Sequence, residues 1–170
     1  MLITFLISQR KSIPAIRTAV ERLARCCGEP LNAEDDEVFL FPTPQQLCGL
    51  SGAQLMGCGL GYRTRYIQNA AAQASSGTLD LGALAALPDD ALFSRLLELD
   101  GVGKKVANCV CLFGYGRTAM APIDVWIQRL IDEEFGGRDP FPSYGQQAGI
   151  VQQYLFYYKR STRRSVAHKK

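Results

Sequence analysis

The chain has 170 residues, of which 47% are hydrophobic, enough to build one domain with a buried core. Its formal net charge is +3, and no apolar run reaches the roughly 20 residues that a membrane span requires. The apolar start, residues 1–7, lacks a basic segment and a small-residue cleavage site, so no signal peptide is predicted. The composition excludes a membrane-spanning protein.

The predicted elements before residue 98 are helices joined by turns. Residues 2–9 fit either a short helix or a buried strand, and Ser12 and Pro14 predict the start of the next helix. Its apolar positions are Ile13, Ile16, Val20 and Leu23, and Gly28 ends it. Residues 29–44 are predicted to form a loop with an acidic, solvated cluster at 34–37, and residues 57–61 a glycine-dense turn. Further helices are predicted at 44–50, 62–76, 80–87 and 89–97.

After residue 98 a hairpin leads into a helix that ends at Phe113, Pro122 opens another helix, and Tyr144–Tyr158 forms the last one. No segment alternates convincingly as a strand, so the sequence predicts a compact all-α bundle over residues 1–158. Residues 159–170 are predicted to form a tail with six basic residues and no acidic one. Such a tail suits a polyanion, but is equally often a solvated terminus.

The cysteines and the single histidine do not form a metal-binding pattern. The cysteines stand at positions 26, 27, 48, 58, 109 and 111, no two form a Cys-x-x-Cys pair, and the histidine is His168. We therefore expect reduced thiols, no zinc site, no iron–sulfur cluster and no other cofactor.

The stretch Leu99-Asp-Gly-Val-Gly-Lys-Lys-Val-Ala-Asn-Cys109 predicts a tight turn followed by a helix. Glycine lets the backbone turn sharply and approach a ligand closely. The N–H groups of the first helical turn, the positive end of the helix dipole and the two lysines favour phosphate as a partner. An ordinary glycine-rich turn between helices would show the same Gly-x-Gly pattern.

Lys105 and Asp124 form a second pattern. Lys105 lies in the first helical turn, where the dipole disfavours a charged amine, so a partly buried lysine there can act as a nucleophile. Asp124 opens its own helix, where N–H groups hold a carboxylate ionised. An amine beside a carboxylate suits attack on a sugar C1′ with stabilisation of an oxocarbenium-like centre. Singly, a phosphate contact and a helix cap explain the two residues better; only the pair favours catalysis.

These motifs, with Ala121-Pro-Ile-Asp-Val125, resemble the helix-hairpin-helix Gly/Pro-Asp (HhH-GPD) superfamily of DNA glycosylases. The 19-residue interval from Lys105 to Asp124 is the one that its 8-oxoguanine branch uses. Gly59-Leu-Gly-Tyr-Arg-Thr-Arg-Tyr66 resembles a glycine-tyrosine-arginine segment of the same branch. The missing iron–sulfur cysteines argue against the endonuclease III and adenine-specific branches, and the resemblance covers nearly the whole chain.

The resemblance implies a bifunctional glycosylase and abasic-site lyase of base excision repair. Lys105 matches the Schiff-base nucleophile and Asp124 the essential carboxylate. Cys109 and Phe156 match the walls that sandwich a flipped base, and Gln152 matches the side chain that contacts the base's Watson–Crick edge. Cys109 lies four residues after Lys105 and so on the same helix face.

The resemblance also implies how the chain binds DNA. Tyr62 matches a wedge into the base stack and Arg63 a contact to the orphaned cytosine, while residues 101–103 match a hairpin that binds a backbone phosphate through main-chain N–H groups. Ile7-Ser-Gln9 resembles part of the family's first core helices, and Arg10-Lys11-Ser12 stand where the family usually has consecutive asparagines, so the contacts that fill the gap left by the flipped base are expected to differ. The expected DNA-contacting residues are thus Gln9, Arg10, Tyr62, Arg63, Gly101, Val102, Gly103 and Lys104.

Three departures from the family pattern bear on these expectations. The family's N-terminal β-rich domain, which helps to cover the base pocket, has no counterpart in the chain, which also fits a truncated gene product. Asp100 stands where the hairpin commonly has proline, and an acid beside a phosphate is expected to weaken the contact slightly. Trp126 replaces a polar phosphate-binding residue of some relatives.

The implied partner is double-stranded DNA with a damaged base or an abasic site, bound by a monomer without membrane association. The implied location is the cytoplasm, at the nucleoid, or the nucleus of a eukaryote. Two alternatives remain: a lyase that acts mainly on preformed abasic sites, and a non-catalytic DNA-binding module. The second leaves the presence of both Lys105 and Asp124 unexplained.

Overall fold

The computed structural model describes residues 1–31 and 38–167, with side chains up to residue 161. The acidic cluster at 34–37 and His168 lie outside the described residues. The all-α prediction is confirmed: the described part of the chain contains ten α-helices, two 3₁₀ helices and one two-stranded antiparallel sheet. No helix in that part is both long enough and apolar enough to span a membrane.

The helices are α1 Leu2–Ser8, α2 Ile13–Cys27, α3 Pro44–Cys48, α4 Gly52–Gly57, α5 Thr64–Ser75, α6 Leu81–Leu84, α7 Asp89–Leu97, α8 Lys104–Tyr115, α9 Val125–Glu134 and α10 Ala148–Ala167. The 3₁₀ helices are Gly61–Arg63 and Phe141–Gln147. Strands β1 Pro30–Leu31 and β2 Val38–Phe39 pair with Pro30 opposite Phe39.

The chain forms two compact units. The first contains Met1–Pro88 and Glu98–Val102, and the second contains Asp89–Leu97 and Gly103–Lys170. The first unit therefore holds α1–α6 and the sheet, and the second holds α7–α10. The predicted base-pocket residues all lie in the second unit, whereas the predicted wedge and opposite-base contact lie in the first.

In the first unit, α5 packs against α1, α3 and α4. The fully buried side chains there include Leu6, Leu23, Leu55 and Ile67, so aliphatic side chains from four helices build this core. Of residues 2–9, which fit a helix or a strand by sequence, Leu2–Ser8 form helix α1 and Gln9 follows it. Ile13 is exposed although it follows the apolar spacing, because it is the first residue of α2.

Two short helices of the first unit begin with capping boxes. Thr43 and Gln46 exchange side-chain and backbone hydrogen bonds at the start of α3, and Ser51 and Gln54 do the same for α4. Helix α4 was not predicted, although its Ser-x-x-Gln pattern is a sequence signal for a helix start.

In the second unit, α7 packs against α8, and α10 packs against α9 and the 3₁₀ helix Phe141–Gln147. Ile127, Ile131, Phe141 and Ala148 form a buried apolar cluster there. The cluster joins α9 to α10 and positions the helix that carries Gln152 and Phe156.

Several boundaries differ from the sequence predictions; for example, α8 ends at Tyr115 rather than Phe113, and α6 ends at Leu84 rather than at residue 87. Part of the predicted loop 29–44 pairs as the β1–β2 sheet. Helix α9 begins at Val125 rather than Pro122, because Asp124 adopts an extended backbone and caps the helix with its side chain.

Helix α10 begins at Ala148 rather than Tyr144, since Gly145 has a non-helical backbone with φ 50° and ψ −124°. At its other end α10 continues to Ala167, so most of the segment predicted as a tail is helical.

Candidate active site

Lys104 and Lys105 are the first two residues of α8. The helix begins after Gly103, whose extended backbone (φ −94°, ψ 177°) ends the hairpin and whose lack of a side chain leaves the helix without a side-chain cap. Lys104 is exposed, whereas Lys105 is half-buried. Two cationic residues thus stand at the end of the helix where backbone N–H groups and the dipole attract anions.

Cys109 lies one turn after Lys105 on α8 and is 3% exposed. Burial, the largest effect, raises the pKa of the Cys109 thiol. The Lys105 amine opposes this shift by its charge and by a hydrogen bond to the thiol, while the negative charge of Asp124 adds to it. The structure therefore brings together the amine, the thiol and the carboxylate that the sequence analysis singled out.

Asp124 is the N-cap of α9 and is half-buried. Its Oδ1 atom accepts hydrogen bonds from the backbone N–H groups of Trp126 and Ile127, each at 2.9 Å. This confirms the prediction that N–H groups of its own helix hold this carboxylate. Because both bonds end on Oδ1, the second oxygen, Oδ2, lies outside the cap.

Gln152 and Phe156 lie one turn apart on α10. Gln152 is 2% exposed, and its side-chain oxygen accepts a hydrogen bond from the Gln153 side chain. Phe156 packs against the apolar cluster of α9 and α10, and the Arg160 guanidinium lies 5.4 Å from the centre of its ring. Phe156 is thus partly buried, between this cluster and Arg160.

A close contact at Gly149 joins α10 to α8. Gly149 N–H donates to the Thr118 carbonyl at 2.8 Å, and a Cβ on Gly149 would stand only 2.8 Å from Leu112 of α8 and 2.4 Å from the Met120 carbonyl oxygen. Cys109 and Gln152 each lie three residues, about one helical turn, from this contact. Sequence reasoning missed the role of Gly149, because a glycine within a helical pattern does not reveal its neighbour.

In the first unit, Arg63 contacts two other predicted DNA-contacting residues, Gln9 and Tyr62. It is 6% exposed, donates hydrogen bonds to the Gln9 carbonyl and to the Leu60 carbonyl, and stacks 4.4 Å from the centre of the Tyr62 ring. The Gln9 side chain donates to the Gly101 carbonyl at 3.0 Å. Tyr62 is 53% exposed, as a wedge requires.

Arg10 lies beside this network and is exposed. Its φ of 51° is unusual for a residue with a side chain, and it follows the last turn of α1. The structure thus places Arg10 at a sharp backbone turn next to Gln9.

The hairpin contains two glycines in different conformations. Gly101 has φ +81°, and a Cβ there would stand 2.4 Å from the ring of Tyr66. Val102 N–H donates to the Leu99 carbonyl at 3.0 Å, so this amide closes the turn. Gly103 has an extended backbone and no atom within 4 Å of a Cβ position. Only Gly101 therefore requires glycine for conformation and space.

The carboxylate of Asp100 does not stand unpaired beside the hairpin. Arg65 and Asn69, both on α5, hold it through hydrogen bonds of 3.0–3.1 Å. The expectation that the acid at position 100 weakens a phosphate contact stays a prediction, and the structure adds that Arg65 pairs with this acid.

Within residues 1–31 and 38–167, no group of three or more His, Cys, Asp and Glu side chains is arranged to hold a metal ion.

The sequence matches a family model described as HhH-GPD superfamily base excision DNA repair protein over residues 3–146. A probable N-glycosylase/DNA lyase of Methanothermobacter thermautotrophicus is 29% identical over 170 residues, which cover 84% of this chain and 54% of the relative. An N-glycosylase/DNA lyase of Saccharomyces cerevisiae is 30% identical over 146 residues, which cover 79% of this chain and 39% of the yeast protein.

Among solved structures, the Clostridium acetobutylicum 8-oxoguanine glycosylase/lyase in complex with double-stranded DNA containing cytosine opposite 8-oxoguanine has a TM-score of 0.88 and 27% identity. The match covers 95% of this chain and 59% of the clostridial chain. The chain therefore spans about half, or less, of the length of the relatives it matches.

Proposed function

Because this chain belongs to the HhH-GPD superfamily of base excision DNA repair proteins, we propose that it excises 8-oxoguanine from duplex DNA and cleaves the strand at the abasic site. The observation that carries this proposal is the grouping of Lys105, Cys109 and Asp124 in the second unit. The clostridial relative, an 8-oxoguanine glycosylase/lyase bound to such DNA, supports the choice of substrate.

In the proposed reaction, the nitrogen of Lys105 attacks C1′ of the damaged nucleotide, and the base leaves with the electrons of the glycosidic bond and takes up a proton. The carboxylate of Asp124 stabilises the positive charge that develops at the sugar and accepts a proton from the attacking amine. Oδ1 remains bound to the backbone of α9, so Oδ2 is the oxygen proposed for this task. Ring opening yields an imine, and loss of a proton from C2′ expels the 3′ phosphate by β-elimination.

The proposed base pocket uses α8 and α10. A glycosylase has to extrude its target base, which costs a few kcal/mol of unstacking, so the base needs compensating contacts in the protein. Cys109 and the partly buried ring of Phe156 supply apolar walls, and the buried amide of Gln152 supplies hydrogen bonds to the base edge. The raised pKa of Cys109 keeps this wall uncharged near neutral pH.

Proposed contacts to the DNA come from both units. The start of α8, without a side-chain cap and with exposed Lys104, offers donors and positive charge to a backbone phosphate. Exposed Tyr62 is proposed as the wedge, with Gln9 and Arg10 near the vacated position. Arg63 reaches the orphaned cytosine only if it exchanges its present hydrogen bonds for new ones.

We further propose residues 1–158 as the glycosylase core and residues 159–170 as a basic segment that approaches the DNA backbone. A monomer that binds duplex DNA is the expected active form, acting at the nucleoid or, in a eukaryote, in the nucleus.

Borohydride trapping tests the proposal. Reduction of the imine should join the wild-type protein covalently to abasic duplex, and Lys105→Gln should abolish the covalent complex. Lys104→Gln is the matched control, since it removes the adjacent, exposed charge and should preserve trapping. Equal trapping by wild type and Lys105→Gln would show that the nucleophile is a different residue.

A second assay separates glycosylase from lyase activity. The rate of cleavage of a duplex with 8-oxoguanine opposite cytosine should be comparable to the rate of cleavage at a preformed abasic site. Cleavage of only the abasic duplex would limit the activity to a lyase, and binding without either cleavage would indicate a non-catalytic module.

A further inference from the structure

The hairpin carries a negative charge at Asp100, immediately before the residues proposed to bind phosphate. A carboxylate at this place would repel the DNA backbone unless another group neutralised it. The contacts of the Asp100 side chain show which groups of the first unit pair with this charge.

Two residues of α5 hold the Asp100 carboxylate. Arg65 donates from Nε to Oδ2 at 3.0 Å and from a terminal nitrogen to Oδ1 at 3.1 Å, in the two-pronged geometry typical of arginine–carboxylate pairs. Asn69, one turn later, donates to Oδ2 at 3.0 Å. The Asp100 carboxylate in turn raises the pKa of Arg65. The pair is partly exposed, with 71% of the Arg65 side chain and 33% of the Asp100 side chain accessible.

The next hairpin residue is also held by the first unit. The Tyr66 ring lies directly against Gly101, and the Gln9 side chain of the α1 end donates to the Gly101 carbonyl. The Arg65 guanidinium lies 5.6 Å from the centre of the Tyr66 ring. Consecutive hairpin residues, 100 and 101, are therefore tied to α5 by an ion pair and by ring packing.

We propose that Asp100 is a positioning residue for phosphate binding, with Arg65 as the counterion that makes it compatible with DNA. The carboxylate fixes the hairpin by its bonds to α5, the kind of restraint that a proline at this position would supply by fixing its backbone torsion. Arg65 neutralises the charge, so the hairpin gains the restraint without repelling the phosphate. The proposal rests on the proposed function, because it assumes that the hairpin binds DNA.

The test is a series of variants in which these charges are removed one after the other, and the dissociation constant for DNA is measured for each variant. Arg65→Gln exposes the charge of Asp100, and its dissociation constant for a duplex with a tetrahydrofuran abasic analogue should rise roughly fivefold at low salt and less at high salt. The double variant Arg65→Gln with Asp100→Asn removes the exposed charge and should recover most of the affinity that Arg65→Gln loses, and the remaining difference from wild type measures the lost restraint on the hairpin. Rescue by the second substitution is the signature of an indirect, electrostatic role.

Arg17→Gln is the matched control for net charge. Arg17 is an exposed arginine of the same unit that pairs with Glu21 within α2. Its loss should change the dissociation constant less than twofold. Single-turnover cleavage at saturating Arg65→Gln protein should match wild type, and melting temperatures of all variants should identify any loss by unfolding.

Three binding results would overturn the proposal. Wild-type affinity in Arg65→Gln would show that the Asp100 charge does not affect DNA binding. Equally weak binding in the single and double variants would show that the loss of affinity does not come from the exposed charge of Asp100. Wild-type protein that binds the duplex but forms no covalent complex would refute the proposed catalysis and leave this inference intact, whereas absence of duplex binding by wild type would overturn both.

Discussion

In the second unit, the starts of helices α8 and α9 differ in how their unpaired backbone N–H groups are treated. The first N–H groups of any helix lack partners within the helix and attract negative charge. In helix α9 two of these N–H groups have a partner, because the Asp124 carboxylate accepts a hydrogen bond from each of them. Helix α8 begins after a glycine and places two lysines in its first turn, where the dipole is unfavourable for cations.

This difference supports the proposal that the start of α8 binds a ligand. A glycine N-cap is less stabilising than a capping aspartate by about a few tenths of a kcal/mol, and α8 forgoes this contribution. The start of α8 is thus less stabilised at the place where the proposed function needs a phosphate, while α9 uses its N–H groups to hold the carboxylate that is proposed to act in catalysis. The following predictions test this difference between the two helix starts.

The largest effect is expected at the capped end. Asp124→Asn keeps a good N-cap but removes the charge, so strand cleavage should fall by about 100-fold or more, while the melting temperature stays close to wild type. Asp124→Ala should lose as much activity and, in addition, about 1 kcal/mol of the free energy of unfolding. Asp132→Asn, an exposed acid on the same helix, is the control.

Single-turnover cleavage and urea denaturation would measure both quantities. Normal cleavage by Asp124→Asn together with a loss of activity in Asp124→Ala would show that the residue acts only as a cap.

Gly103→Asp converts the start of α8 into a copy of the start of α9. The backbone at Gly103 is extended and has room for a side chain, so the substitution should raise the free energy of unfolding by a few tenths of a kcal/mol. DNA affinity should fall about tenfold, because the new carboxylate occupies the N–H groups and repels phosphate.

Gly103→Ser caps without charge and should lie between wild type and Gly103→Asp in affinity measured by fluorescence anisotropy. Unchanged affinity in Gly103→Asp would refute the proposed phosphate site at α8.

The two hairpin glycines should differ in their tolerance of alanine. Gly101→Ala places a Cβ against the Tyr66 ring at a positive φ, so it should lower the free energy of unfolding by about 1–3 kcal/mol. Gly103→Ala meets no neighbour and should change it by less than about 0.5 kcal/mol. Thermal denaturation of both variants checks this, and equal stability would contradict the assignment of Gly101 as the constrained residue.

The smallest effect is expected at Cys109, whose thiol pKa is affected by Lys105 at the start of α8 and by Asp124 at the start of α9. Burial raises the pKa of its thiol, so iodoacetamide should label Cys109 more slowly at pH 8 than exposed Cys48. Lys105→Gln should raise this pKa further and slow the labelling, because the amine that opposes the shift is lost. Asp124→Asn should lower it and speed the labelling, as site-resolved mass spectrometry over a pH series would show.

Local patterns in the sequence were sufficient to predict much of this structure. The bounds of α7 were predicted to the residue, and the spacing of Lys105 and Cys109 placed them on one face of α8. These features depend on helix periodicity and capping chemistry, which act over a few residues. The start of α9 was misplaced by three residues because Pro122 is also a common helix-opening residue.

The features that escaped prediction depend on partners distant in sequence. Arg65 and Asp100 are 35 residues apart, and nothing in either local pattern indicates the pair. The approach of α10 to α8 at Gly149 and the pairing of β1 with β2 likewise depend on tertiary contacts. The sequence could therefore indicate candidate residues for chemistry, but not that Arg65 pairs with Asp100.

The interleaving of the two units along the chain has a consequence for dissection of the protein. Asp89–Leu97 belongs to the second unit but is flanked on both sides by segments of the first. A single proteolytic cut at any bond therefore leaves at least one unit without part of its own chain. A fragment that starts at Gly103 would lack α7, and one that ends at Pro88 would lack Asp100, the partner of Arg65. During synthesis on the ribosome, neither unit is complete before residue 102 has emerged.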